Sequence, residues 1–276
     1  MIRLTKAQPA SGVSRAGRGQ VPTPFWILAV IGSLLFILPL AGLVWRAPWS
    51  DAWTQLSSGP ALQALRLSLI TSLCATAFGL VIGVPLAWVQ ARVSYPGKRI
   101  VRALTTLPMV LPPVVGGLAL LLAFGRRGLV GPALSHAGIQ LPFSTAGAVL
   151  AEAFVAMPFL VVTVEAALRS SDQRLEEAAR TLGAKRWAVL WHVTLPTVRA
   201  SLAAGAILCW ARALGEFGAT ITFAGSLQGK TQTLPLFVYA TLEGTNPNGA
   251  IILSLLLLVV SLFILIALRD SWLGAW

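Results

Sequence analysis

An all-α protein that crosses a membrane about six times is the fold class this sequence predicts, and three observations predict it. Apolar residues make up 56% of the chain and charged residues 11%, against about 25% charged in a soluble domain. The apolar residues come in blocks of about 20, the length that carries a helix through a bilayer. No stretch alternates apolar and polar residues as the strands of a membrane barrel do, and helices satisfy their own backbone hydrogen bonds, as lipid requires.

The blocks fall at residues 25–45, 65–90, 101–124, 145–168, 200–224 and 250–268. The formal charge of +12 would suit nucleic acid, but its distribution argues against that partner. Arg3, Lys6, Arg15 and Arg18 precede the first block. Arg92, Lys98, Arg99 and Arg102 lie between the second and third, and Arg169, Arg174, Arg180, Lys185, Arg186 and Arg199 between the fourth and fifth. The alternate loops hold only Arg46, Arg66, Arg126, Arg127 and Lys230. Cationic loops stay inside, so both termini are expected in the cytoplasm.

Residues 1–23, rich in Gly, Ser, Pro and Arg, read as a disordered cytoplasmic tail. Residues 24–60 read as the first span and an outer loop. That span is too long for a signal peptide and no small-x-small cleavage site follows it, so it reads as an uncleaved anchor. Residues 61–269 read as a single transmembrane domain. In the second span Gly79 and Gly83, four apart and followed by Pro85, allow close helix approach, which favours packing within one subunit over a dimer contact. In the third, Pro108, Pro112 and Pro113 precede Gly116 and Gly117, which predicts a bent helix, either bordering a water-filled route or simply kinked. Cys74 and Cys209 fall inside spans without a His or Cys cluster, and read as two buried thiols.

The fifth span carries Arg212 and Glu216, with Thr220 one turn further on. A charge at mid-membrane costs about 2.5–3.5 kcal/mol, and spacing of four permits a pair that offsets part of it. The pair either fixes packing or lines the route, and Glu152 and Glu165 in the fourth span are alternative partners for Arg212. The outer loop after the fifth span is expected to hold a short amphipathic helix over 236–242.

The cytoplasmic loop at 170–196 is the most telling segment. Ser170 and Gln173 have capping-box spacing, which starts a helix near Ser171, and Gly183 is placed to end it in a left-handed conformation. Leu175, Ala178, Ala179 and Leu182 fall on one face, with Arg174, Glu176, Glu177 and Arg180 opposite. A second helical stretch over 185–193 leads to Leu195 and Pro196. A helix lying on lipid prefers large apolar side chains and basic flanks. A shallow stripe centred on two alanines, with balanced charges, fits a protein groove better.

The pattern Glu177-Ala178-Ala179-Arg180-Thr181-Leu182-Gly183, ending in Val193-Thr194-Leu195-Pro196, resembles the cytoplasmic loop of binding-protein-dependent ABC importer permeases. Every fixed position matches, with Val193 where Ile is more usual. The resemblance implies a type I ABC importer permease fold, with Glu177, Ala178, Ala179, Arg180, Gly183, Leu195 and Pro196 in a loop that docks onto an ATPase. The stretch ARALGEFGATITFAG and the following GKTQTLPLFVYATLEG are similar to the molybdate permease subunits and, less closely, to sulfate/thiosulfate permeases. That family implies a bacterial cell membrane location and a homodimer with the route between the subunits. It implies two ATPase subunits binding ATP and Mg, an extracytoplasmic oxyanion-binding protein, and no cofactor in this chain.

Residues 224–231 imitate a phosphate loop, but no strand or Mg-binding Asp accompanies them and Pro235 follows at once. A membrane-embedded enzyme would need paired catalytic groups, yet Glu152 and Glu165 lie 13 positions apart, roughly 20 Å along a helix. A passive anion channel would have no use for the docking loop.

Overall fold

The computed structural model describes residues 22–244 and 246–273, and all regular structure among them is helical. Residues 1–21 of the expected tail lie outside the described residues. The chain divides into two compact units, one ending at Arg46 and one beginning at Ala47. Among its described residues the first holds one helix, α1 (Thr23–Trp45), opened by Pro24 in its first turn, where a missing N–H costs nothing.

The second unit begins with a 3-10 turn and the short α2 (Ala52–Leu56) before α3 (Gly59–Arg92), the longest helix. α3, α7 (Thr145–Ser170) and α11 (Arg199–Leu214) form the central packing around Leu160, Val161, Val164 and Leu168 of α7. Small residues make it close. A Cβ on Gly79 would lie 3.4 Å from Cys209 Sγ, and one on Gly83 would lie 3.1 Å from Met157 Cγ. The Gly79/Gly83 face thus packs inside the subunit, as its spacing suggests. Of the two thiols, Cys209 is buried but Cys74 is exposed, contrary to expectation. Cys74 lies off the face of α3 that carries Thr71, Ser72, Ala75 and Gly79 inward.

Polar side chains in this interior are used across helices. Thr71 Oγ1 donates to Glu152 Oε1 at 2.8 Å, and Trp210 Nε1 donates to Ser72 Oγ at 3.0 Å. Both join α3 to a neighbour at points where an unpartnered polar group would be costly.

Two of the expected spans are interrupted. The third is α4 (Lys98–Thr106), a 3-10 turn over Leu107–Met109 and α5 (Pro113–Phe124). Proline is the cause: Pro112 sits before Pro113 with ψ 130°, the extended geometry forced on a residue preceding proline. The fifth is α11 followed, after Gly215–Phe217, by α12 (Gly218–Phe223). Among the described residues, four helices are long and apolar enough to cross a membrane: α1, α3, α7 and α14 (Pro247–Leu273), the last over Pro247–Ile264. A fifth crossing is formed if residues 186–214, bent by 75° near Val198, count as one span.

The fragments pack through glycine. A Cβ on Gly117 of α5 would stand 2.7 Å from the Ala219 carbonyl oxygen, and one on Gly218 would stand 2.9 Å from Pro113 Cβ. The outer segments are α6 (Gly131–His136) and α13 (Leu234–Glu243), the latter matching the expected helix at 236–242. α13 is held by Leu234, fully buried, whose N–H donates to Ser68 Oγ at 2.6 Å.

Candidate functional site

The loop after α7 folds as two short helices. α8 (Gln173–Thr181) starts two residues later than the capping-box spacing suggests: its N-cap is Asp172, whose Oδ1 accepts the Arg174 N–H at 2.9 Å. Ser170 instead closes α7, donating to the Ala167 carbonyl at 3.0 Å. The aspartate is the stronger local choice, since a carboxylate also meets the positive end of the helix dipole.

Gly183 ends α8 with φ +86°. The Gly183 N–H donates to Arg180 O at 2.9 Å and the Ala184 N–H to Ala179 O at 3.0 Å. This is the two-bond C-terminal cap that needs a left-handed residue. After it come α9 (Arg186–Val189), a π-helical segment at Leu190–Thr194 and α10 (Leu195–Thr197), where the expected second helical stretch lies.

The apolar face of α8 points away from the protein. Leu175 and Ala178 are exposed, Ala179 is half-buried, and Leu182 is 87% exposed; Trp187, in the next helical stretch, is 70% exposed. Glu177 is also exposed and takes part in no ion pair among the described residues. Leu195 is half-buried and Pro196 exposed.

Glu176 does the opposite of its neighbour. It is the buried residue of α8, and its Oε1 accepts from Arg92 Nη2 at 2.8 Å. Arg180 Nη2 lies 3.6 Å from the other oxygen. Glu176, Glu177, Arg92, Arg180 and Arg186 share a cleft of about 280 Å³ between α8, the end of α3 and the segment after Lys185. The polar cluster continues to α4: Glu165 pairs with Arg169 at 3.1 Å and with Arg102, while Gln90 Nε2 donates to Thr105 Oγ1 at 2.9 Å. Sequence reading missed the Arg92–Glu176 pair: it placed Glu176 with Arg174, Glu177 and Arg180 opposite the apolar stripe and gave it no partner on α3. Its one sequence signal is a second carboxylate beside Glu177 with an arginine at the end of an earlier span.

Arg212 and Glu216 form a second group. Arg212 Nη1 stands 2.5 Å from Glu216 Oε2, without the alignment of a hydrogen bond, so the contact is an ion pair. Glu216 Oε1 accepts the Ala219 N–H at 2.9 Å. Glu216, 1% exposed, therefore bridges the break between α11 and α12, pairing with one and capping the other. Glu152 and Glu165 are engaged elsewhere, so neither is the partner of Arg212. Thr220 is fully buried, and its backbone carbonyl accepts from Ala224 N at 2.8 Å.

The imitation phosphate loop is a self-satisfied turn. Thr231 Oγ1 accepts from Leu227 N at 2.9 Å and donates to Gly225 O at 3.1 Å.

The sequence profile of the family described as binding-protein-dependent transport system inner membrane component matches residues 79–273, which include both groups. The chain belongs to this family of transport permeases. The permease is 45% identical to the molybdenum transport system permease protein of Mycobacterium tuberculosis, over 88% of its own length and 92% of that protein. It is 35% identical to a probable sulfate transport system permease protein of Chlorokybus atmophyticus, over 85% and 83% of the two chains. Its fold is shared with a chain of a bacterial ABC transporter involved in the import of alginate, at a TM-score of 0.73 and 22% identity, covering 90% of the permease and 93% of that chain. The all-helical architecture is that of a type I ABC importer permease.

Proposed function

We propose that this permease is the membrane subunit of an ATP-driven molybdate importer and that α8 docks onto a separate ATPase. The observation that carries the docking is the outward apolar face of α8, Leu175 and Leu182 with Trp187, beside the exposed Glu177. Exposed apolar side chains on a short aqueous helix call for a partner. Glu177, Ala178, Ala179, Arg180 and Gly183 form the docking element, and Leu195 and Pro196 return the chain to the membrane. Molybdate is the substrate favoured by the 45% identity to the mycobacterial protein over nearly its whole length.

In this reading residues 61–269 are the transmembrane domain, residues 24–60 an added span with its outer loop, and both termini are cytoplasmic. Two copies enclose the route, two ATPases bind ATP and Mg below, and an oxyanion-binding protein delivers the anion from outside. The chain itself carries no catalytic site. ATP favours one of two packings of the helices, and alternating access follows from that shift. The Arg212–Glu216 pair keeps α11 and α12 jointed across Gly215–Phe217 during the change. A bare permanent anion site is not required, because a tight site would retain its ion.

The test is uptake of labelled molybdate into vesicles holding the permease, its ATPase and the binding protein. Uptake that requires ATP and is displaced by molybdate more effectively than by sulfate supports the assignment. The sulfate relative at 35% identity makes sulfate the second reading, and preferential displacement by sulfate would establish it instead.

A further inference from the structure

We infer that Glu176 is a positioning residue: through Arg92 it fastens the docking helix to the inner end of α3 and delivers the movement of α8 to the membrane helices. The inference rests on the docking of α8 proposed above. Two consecutive carboxylates are divided between two duties. Glu177 is exposed at the rim of the cleft, open to a partner, and Glu176 is buried within it.

The outward face of α8 takes its apolar residues with it, so little apolar surface is left to hold the helix to the body. What remains buried is Glu176, with side-chain exposure of 8%, against Arg92, also 8%. Arg92 Nη2 donates to Glu176 Oε1 at 2.8 Å and to Ser171 Oγ at 2.8 Å. Ser171 is the C-cap of α7. One guanidinium nitrogen therefore gathers the ends of α3 and α7 and the start of α8. From this point Arg169 Nη2 reaches Gln90 O at 3.5 Å, and Gln90 holds Thr105 on α4, the first half of the broken third span.

A contact of this kind transmits displacement. Removing one member of a buried ion pair leaves the other uncompensated, whereas a slipping apolar contact would tolerate movement of α8 without moving α3. Coupling between distant sites needs a contiguous element with two arrangements that both sites bias. The Glu176–Arg92 contact supplies the first link.

The experiment uses the permease reconstituted with its ATPase and binding protein, reading ATPase copurification, ATP hydrolysis and labelled molybdate uptake on the same samples. Glu176→Gln is expected to keep the ATPase bound while uptake per ATP hydrolysed falls about tenfold, a typical coupling free energy. Arg92→Lys, which keeps the charge but replaces the planar guanidinium, whose single nitrogen bonds both Glu176 and Ser171, by a shorter and more flexible ammonium, is expected to fall between. The exchange Glu176→Arg with Arg92→Glu is expected to recover most of the ratio. A merely structural role would lower the amount of complex and leave uptake per ATP unchanged, which would overturn the inference. So would an exchange variant that inserts and binds the ATPase yet stays as uncoupled as the single variants. Failure of the unaltered permease to hold the ATPase is a different result: it defeats the docking reading itself, and this inference with it.

Discussion

Gly183 shows how much one backbone angle decides. At φ +86° with open space around its Cβ position, alanine would fit sterically but not conformationally, at a cost of about 1–2 kcal/mol. Proline is excluded more firmly, because the Gly183 N–H is used by Arg180 O. Gly183→Ala is expected to weaken ATP-driven uptake and Gly183→Pro to abolish it, with membrane insertion, read by immunoblot, unchanged in both. Normal uptake by the proline variant would refute the role of this cap. At Glu216, glutamine keeps an oxygen for the Ala219 N–H while alanine removes it. Glu216→Ala should therefore destabilise by about 3 kcal/mol and Glu216→Gln by less, measured as the order of Tm in detergent. The left-handed cap at Gly183 was legible from spacing alone, whereas Glu177 was singled out by the family resemblance. The inward turn of Glu176 was not legible, because its partner Arg92 lies 84 positions away and only tertiary structure brings it near.

At the scale of elements, the broken helices are the main departure from the sequence reading. Hydropathy runs continuously through 101–124 and 200–224, so it marks the lipid-crossing blocks without showing where the backbone stops. The prolines pointed to a bend in the third block, but the break at Gly215–Phe217 has no proline and depends on the carboxylate cap from Glu216. The crossing of α5 and α12 offers a direct check. A valine at Gly117 would drive its Cβ to 2.7 Å from both Ala219 O and Thr222 Cβ. Gly117→Val should lower stability by roughly 1–3 kcal/mol, seen as a lower Tm; an unchanged Tm would show that the two helices part easily. On α8, Leu182→Cys should react with a membrane-impermeant maleimide in open membranes, and bound ATPase should protect it. Equal labelling with and without ATPase would remove that face from the interface.

For the molecule as a whole, the apolar blocks were readable because lipid imposes them on the chain, but among the described residues four helices, or five with the bent pair, are long and apolar enough to cross, against the six spans expected. The division of the chain at Arg46 was readable only as a longer first segment. Energy coupling is a property of the assembly: vesicles lacking ATP, or carrying an ATPase unable to hydrolyse it, should accumulate no molybdate. Flux down a gradient without ATP would instead identify a channel.

The length of α3 has its own consequence. Its 34 residues extend about 51 Å, where the hydrocarbon layer is about 30 Å deep. Tilting alone would have to exceed the roughly 40° at which such helices stop, so the rod must stand proud of the lipid. Arg92 lies in its last turn, at one terminus of a helix longer than the lipid is deep, while the close contacts at Gly79 and Gly83 hold the stretch between against α7 and α11.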